Sequence, residues 1–285
     1  MMKLVITGIT GKSGAFFWQH ILENENLIKE KWPNGINLIS RNKEKLESLE
    51  KGLISIVCFT GDLIESDVTD KFCEGCDTLV HIAGIHWTLS LVKSAIRAGI
   101  KRLILVHTTG IYSKYKAAGE EYRQIDAKIY QLVKENNIAL TILRPTMIYG
   151  DISDKNVGIF IKIVDKFKII PTVNGAHYEL QPVHCKDLGK AYFDVLMNPA
   201  VRDNNDYVLS GGRPIELRKM FEEIAKNLNV QRKYVSCPFA IAYFAAWVIY
   251  LLTFTKKITE KKFRALLNLV FIRMIKPQWI LVIHR

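Results

Sequence analysis

The chain has 285 residues, 49% hydrophobic and 24% charged, which suits a large α/β domain with a smaller lobe and excludes a disordered or low-complexity protein. Its formal net charge is +12, yet residues 231–285 hold ten Lys or Arg against one acid, Glu260, so most of the excess sits in a basic, apolar tail. That asymmetry argues against a surface that coats nucleic acid and points to one region that meets something anionic.

The opening "MMKLVITGIT" has too short an apolar run for a signal peptide. Five cysteines, an odd number without framework spacing, agree with a reducing compartment. The body is therefore expected in the cytoplasm.

"KLVIT" (3–7) reads as a buried strand and runs into "TGITGKSG" (7–14) and a helix over 13–25. A phosphate loop for nucleoside triphosphates needs four residues between its first glycine and Gly-Lys-Ser, whereas Gly8 and Gly11 enclose two. The spacing is Gly8-x2-Gly11-x2-Gly14. Glycines after a strand permit a tight turn and let the main chain approach a pyrophosphate, while the helix amino end supplies N–H donors. Thr10, Lys12 and Ser13 fill the same turn, which by itself reads either as a dinucleotide cradle or as a plain strand-to-helix turn.

"INLIS" (36–40) is the second strand, ending in Ser40-Arg41, with a helix expected over 42–50. A carboxylate there would hold the ribose 2′-hydroxyl of NAD; the Arg41 guanidinium suits the 2′-phosphate of NADP. "ISIVCF" (54–59) leads into "TGDL", where Asp62 can accept from an adenine amino group, with Leu63 beside it, or form an Asx turn or helix cap. A helix over 65–73 follows, then "DTLVHIA" (77–83), whose end at Ala83 and Gly84 leaves room for a flat cofactor. Helix 88–99, strand "RLILVH" (102–107), helix 118–136 and strand "ALTILRP" (139–145) complete the run. All six strands read as covered on both faces, and the alternation predicts a doubly wound parallel sheet.

Beyond Pro145 the rhythm loosens: helix 156–167, strand 178–184, helix 185–198, strand 206–212 and helix 214–229. The expected organisation is α/β, with a nucleotide-binding core over 1–150. Segments 151–230 complete that core and contribute to a smaller C-terminal substrate lobe, and 231–285 is a tail. The Cys73-Glu-Gly-Cys76 pair has no second pair at zinc spacing, only Cys185 beside His184, so no metal is expected. Residues 238–254 carry no charge and would rise about 25 Å as a helix. Three readings stay open for them: a buried lobe helix, an interfacial helix on an anionic leaflet, or a span.

In order and spacing, "TGITGKSG", "GDL", "DTLVHIAG", "LVHTTGIY", "TILRPTMIYG", "LQPVHCKDLGKA" and "YVLSGG" resemble the extended and atypical short-chain dehydrogenase/reductases, more narrowly the NAD-dependent epimerase/dehydratase group. The resemblance covers about residues 2–230. It implies a Rossmann-type core, a nicotinamide dinucleotide and hydride transfer on a nucleotide- or lipid-linked sugar; Arg41 makes NADP the expected cofactor ahead of NAD. By this resemblance Pro145 borders the nicotinamide, Tyr149 turns toward the substrate lobe, and His184 and Asp187 mark a strand-to-helix junction. Thr108 matches the family's hydroxyl position and Tyr122 its catalytic tyrosine. Asp126 stands four residues on, where the family has a lysine that lowers the phenol's pKa and grips the ribose. Its charge is expected to raise the pKa of Tyr122 instead, and Lys128 lies about 200° round the helix, facing elsewhere. The literal Tyr112-x3-Lys116 falls in an expected loop and is read as coincidence. The two functional readings are an oxidoreductase or epimerase using Thr108 and Tyr122, and a cofactor-binding sensor or assembly protein without turnover, which Asp126 favours. The expected partner is the small-molecule substrate, joined by an anionic membrane through 231–285 under the interfacial reading of that tail.

Overall fold

The structure is a computed structural model and is described for residues 2–49, 52–112, 117–199, 204–238 and 240. In chain order the elements begin β1 (Leu4–Thr7), α1 (Lys12–Glu23), α2 (Glu25–Lys31), β2 (Ile36–Ser40), α3 (Lys43–Glu47), β3 (Ile56–Thr60) and α4 (Ser66–Cys73). They continue with β4 (Thr78–His81), α5 (Thr88–Arg97), β5 (Arg102–Val106), α6 (Ala117–Glu135), β6 (Ala139–Pro145), β7 (Met147–Tyr149) and α7 (Val157–Lys166). The last are β8 (Ile169–Val173), β9 (Glu179–Leu180), β10 (Pro182–His184), α8 (Cys185–Met197), β11 (Asp206–Leu209), β12 (Ile215–Glu216), α9 (Leu217–Asn227) and β13 (Lys233–Cys237).

These elements divide between two compact units, the described residues of 1–112, 116–146 and 183–210, and those of 113–115, 147–182 and 211–285. The first unit carries a seven-stranded sheet in the order β11-β6-β5-β4-β1-β2-β3, parallel at every described pairing. The order reverses between β1 and β4, and in open α/β sheets ligands bind outside the carboxyl ends of the strands at that switch point. On one face Phe72 of α4, Leu91 and Val92 of α5 and Ile129 of α6 pack on Leu79, Leu103 and Ile142 of the sheet. α1 packs against α8, where Phe17 meets Tyr192 edge-on at 6.2 Å and Gly189 lets the Phe16 backbone approach closely. The doubly wound parallel sheet expected from the strand–helix alternation is present.

Several local expectations need correction. Strand β3 is covered only in part, with Val57, Cys58 and Thr60 exposed, because it forms the sheet edge. Helix α2 occupies a stretch left without an element, and α3 stops at Glu47, short of residue 50. The strand expected over 178–184 is two short ones, β9 and β10.

The second unit holds the parallel pair β8–β13, joined from Lys233↔Ile169 to Cys237↔Val173, and the antiparallel pair β9–β12. Behind them α7 and α9 meet through Phe160 and Phe221, whose rings sit edge-on at 5.5 Å, and Phe221 stacks on Tyr234 at 6.4 Å. Strand β13 falls within residues assigned from the sequence to the tail. The stretch 241–285, with most of the uncharged run, lies outside the described residues, as does Lys116.

Candidate functional site

Strand β1 ends in Thr7, whose buried hydroxyl lies 2.6 Å from Nδ1 of buried His81 at the end of β4. His81 Nε2 lies 3.0 Å from the Gly84 carbonyl, so the ring carries its proton on Nε2, donates to Gly84 and accepts from Thr7. Burial pushes the His81 pKa down to about 3, which keeps this bridge neutral. The two strand ends flanking the switch point are thereby tied together.

Gly8 follows Thr7 at φ +77, and a Cβ there would come within 2.6 Å of the Ala83 backbone nitrogen. Only glycine satisfies both the left-handed backbone and that approach. Gly11 N–H donates to the Gly8 carbonyl at 3.0 Å and Gly11 caps α1 with no side-chain oxygen. No acid lies in the first turn of α1, so its amino end keeps its partial positive charge for a ligand. A Cβ on Gly14 would collide with the Gly8 carbonyl oxygen, so Gly14 is there to seat α1 against the turn.

These turns bound a cleft of about 410 Å³. Gly8, Thr10, Gly11 and Ser13 form its β1–α1 wall; Ser40, Arg41, Asn42 and Lys45 its β2 end. Asp62 and Leu63 contribute from β3, Ala83 and Trp87 from β4. Asp62 also makes the Asx turn read from the sequence, accepting from Ile64 N–H at 3.2 Å. Of the other residues assigned to the cofactor, Lys12 opens α1 and Gly84, at φ +121, turns the chain into the Trp87 segment. Pro145 ends β6 and its carbonyl accepts from the Thr109 hydroxyl at 3.3 Å. None of Lys12, Gly14, Gly84 and Pro145 is among the residues that line the cleft.

Sequence reasoning missed Asn42, Lys45 and Trp87. Asn42 caps α3 by accepting from Lys45 N–H at 2.9 Å, which carries Lys45 to the same end of the cleft as Arg41. The Asn-x2-Lys spacing after the strand was the available signal. The Trp87 indole lies against Gly84, and the Arg41 guanidinium carbon sits 5.6 Å from the indole centroid, a cation–π contact.

Further along the sheet, Thr108 and Tyr122 border the same glycine. A Cβ on Gly110 would lie 3.3 Å from Thr108 Oγ1 and 3.2 Å from Tyr122 Cε2, and Gly110 N–H donates to Thr108 Oγ1 at 3.0 Å. His86 lies beside the phenol, ring centroids 5.5 Å apart, and its Nδ1 is 3.0 Å from Glu121 Oε1. Burial, then the Glu121 charge, pushes the Tyr122 pKa up.

Asp126 is not the cause of that shift, contrary to the sequence expectation. Its carboxylate is 4% exposed, with Oδ1 2.8 Å from His107 Nδ1 and Oδ2 2.7 Å from Arg144 Nη2, an ion pair off hydrogen-bond alignment. Arg144, 1% exposed, also grips Asp206 through Nε at 2.8 Å and Nη2 at 2.6 Å. His107 Nε2 completes the chain 3.2 Å from Thr88 Oγ1. Burial alone would raise the Asp126 pKa, but the hydrogen bond from His107 and the Arg144 guanidinium outweigh it and hold the carboxyl below its usual range. The charge at the expected lysine position is therefore met by Arg144 of β6 and by His107, just past β5.

The thiols of Cys73 and Cys76 are buried, and burial pushes Cys76 up to about 11, far from a reactive thiolate. Among the described residues no group of three His, Cys, Asp or Glu is placed to hold a metal. No helix among them is long and apolar enough to cross a membrane.

The family described as NAD(P)H-binding matches residues 8–165. A mitochondrial NADH dehydrogenase [ubiquinone] 1 alpha subcomplex subunit 9 from Dictyostelium discoideum is 32% identical over 88 residues. That match spans 31% of this chain and 21% of the relative's length. Among solved structures, the Citrobacter sp. triphenylmethane reductase complexed with NADP(H) superposes with a TM-score of 0.66 at 18% identity, covering 94% of this chain and 90% of that one. The UDP-glucose 4-epimerase of Thermotoga maritima, solved with UDP-glucose, gives 0.64 at 16% identity, covering 83% and 86%. The glycine cradle, the switch-point cleft and the matched segment coincide: the chain belongs to the NAD(P)H-binding family and has the Rossmann-type fold of the short-chain dehydrogenase/reductases and epimerase/dehydratases.

Proposed function

We propose that the protein binds NADP(H) in the switch-point cleft and holds it without the Tyr–Lys proton transfer of the wider family. One observation carries this reading: the position of the ribose-gripping lysine is taken by Asp126, and its charge is committed to Arg144 and His107 inside the unit. With no cation at that position and burial raising its pKa, the Tyr122 phenol stays protonated at neutral pH and is a poor base. A bound nicotinamide group would supply hydride chemistry. This chain's own residues bind and orient the adenosine half and leave the proton-transfer half weakly equipped.

The preference for the phosphorylated nucleotide rests on the β2 end of the cleft. Arg41 and Lys45 stand there with Ser40 and Asn42, and no carboxylate lines that end to hold a bare 2′-hydroxyl. A role as an assembly subunit or redox sensor agrees with similarity to a subunit of NADH dehydrogenase.

A second reading, hydride transfer on a nucleotide- or lipid-linked sugar, is favoured by Thr108 and Tyr122 meeting at Gly110. The two separate in one experiment. NADPH is mixed with the protein and a panel of sugar conjugates while cofactor absorbance is followed. Tight binding without consumption supports the first; turnover lost in Thr108→Ala and Tyr122→Phe supports the second.

A further inference from the structure

In the second unit the β8–β13 pair has one covered face and one open face. Ile170 and its pair Tyr234 turn inward onto the buried cluster that holds Phe221 and Val164. The opposite row, with Ile169 paired to Lys233 and Pro171 to Val235, turns outward. Ile169 is 58% exposed, Val235 53%, and Phe167, which enters the strand from α7, 48%. Single exposed apolar residues are ordinary, but Ile169 and Val235 on adjacent strands, with Phe167 just before β8, form a patch.

The patch is rimmed by cations. Exposed Lys233 is paired to Ile169, Lys166 and Lys168 are the exposed sequence neighbours of Phe167, and Lys166 Nζ lies 5.8 Å from the Phe167 ring centroid. Across 162–171 and 231–238 there are five Lys or Arg and one acid, Asp165. Arg232 donates to the Asp165 carbonyl at 2.9 Å and leaves that carboxylate to solvent beside Lys166. From β13 the sequence passes directly into residues 238–254, which carry no charge, and then Lys256, Lys257, Lys261, Lys262 and Arg264.

We infer that this face is a docking surface for an anionic lipid bilayer, with Phe167, Ile169 and Val235 entering the headgroup region and the three lysines facing lipid phosphates and carboxylates. Charge selects this occupant. A second copy of the same face would set lysine against lysine, and the uncharged stretch that follows β13 gains nothing from a cationic rim. An anionic leaflet satisfies both the apolar centre and the rim. The surface does not depend on the cofactor reading.

The test is flotation of the full chain with vesicles of phosphatidylcholine alone or with 30 mol% phosphatidylserine. Two triple variants are compared with the parent: Phe167→Ser, Ile169→Ser, Val235→Ser, and Lys166→Gln, Lys168→Gln, Lys233→Gln. The parent is expected to float with the anionic vesicles and to be released by salt. Each surface lysine is worth about fivefold, so the lysine variant should partition roughly a hundredfold more weakly. The serine variant should lose at least about tenfold from the three apolar side chains. Circular dichroism and an NADPH titration check folding, and if the serine variant does not fold, the lysine variant decides alone because its changes are all at exposed positions. Parental flotation by either folded variant, equal parental binding to neutral vesicles, or parental self-association abolished by the serine variant would each overturn the inference.

Discussion

Asp126 lies one helical turn beyond Tyr122 on α6, yet its carboxylate meets Arg144 of β6, Nη2 to Oδ2 at 2.7 Å, with both side chains almost wholly buried. The ion pair ties α6 to the sheet at the place where the wider family needs a mobile cation beside a phenol. A buried pair costs desolvation of both ions, and here two carboxylates and a histidine share the load.

Removing Asp126 takes one of the two carboxylates from Arg144 and the partner from His107 Nδ1. Asp126→Asn is expected to lower stability by about 3 kcal/mol, the low end for breaking a buried pair because Asp206 still holds Arg144. Urea unfolding measures this. A change below about 0.5 kcal/mol would show that the pair carries no structural weight.

The second prediction concerns pH. His81 is neutral in the folded state, with its pKa pushed by burial to about 3 from an ordinary 6.5. The unfolded chain takes up a proton below pH 6.5 while the folded chain does not, so this stability is complete above 6.5 and lost as pH falls toward 3. The expected slope approaches about 1.4 kcal/mol per pH unit well below 6.5. Unfolding at pH 4.5, 5.5 and 7.5 should show a shallower slope for His81→Gln than for the parent, whatever its stability at neutral pH.

In the proposed reading, the preference for NADPH is carried by Arg41 and Lys45 at the β2 end of the cleft. Arg41→Ala and Lys45→Ala are each expected to weaken NADPH about tenfold, the worth of a charge-assisted contact, and to leave NADH within about twofold. Fluorescence titration with both nucleotides reads the ratio. Equal losses for the two would place these side chains away from the 2′-phosphate.

Gly8→Ala tests the cradle itself. The new methyl group would meet the Ala83 backbone at 2.6 Å from a residue at φ +77, so binding of either nucleotide should fall by at least about a hundredfold. Tyr122→Phe, by contrast, should leave NADPH affinity within about twofold.

The six strands of the first 145 residues and most of their helices, α2 excepted, were legible because their signals are local: strands rich in Val, Ile and Leu, and glycines spaced to turn a strand into a helix. Asp62 shows the same, since its Asx turn spans two residues. What escaped was set by distant partners. The fate of Asp126 depends on His107, Arg144 and Asp206, which lie just past β5, in β6 and in β11, and which only the folded sheet places together. Trp87 reaches the cleft through the Gly84 turn, which His81 and Thr7 hold from separate strands. Strand β8 was hidden by Pro171 and by an outward apolar row that breaks the usual apolar-in pattern.

Titration calorimetry of folded protein with NADPH and with NADH measures the central claim most directly. Saturable binding of one NADPH per chain, about tenfold tighter than NADH, is the expected result. No saturation by either nucleotide would contradict the account, because the cleft between β1, β2 and β4 would then hold something other than a nicotinamide dinucleotide.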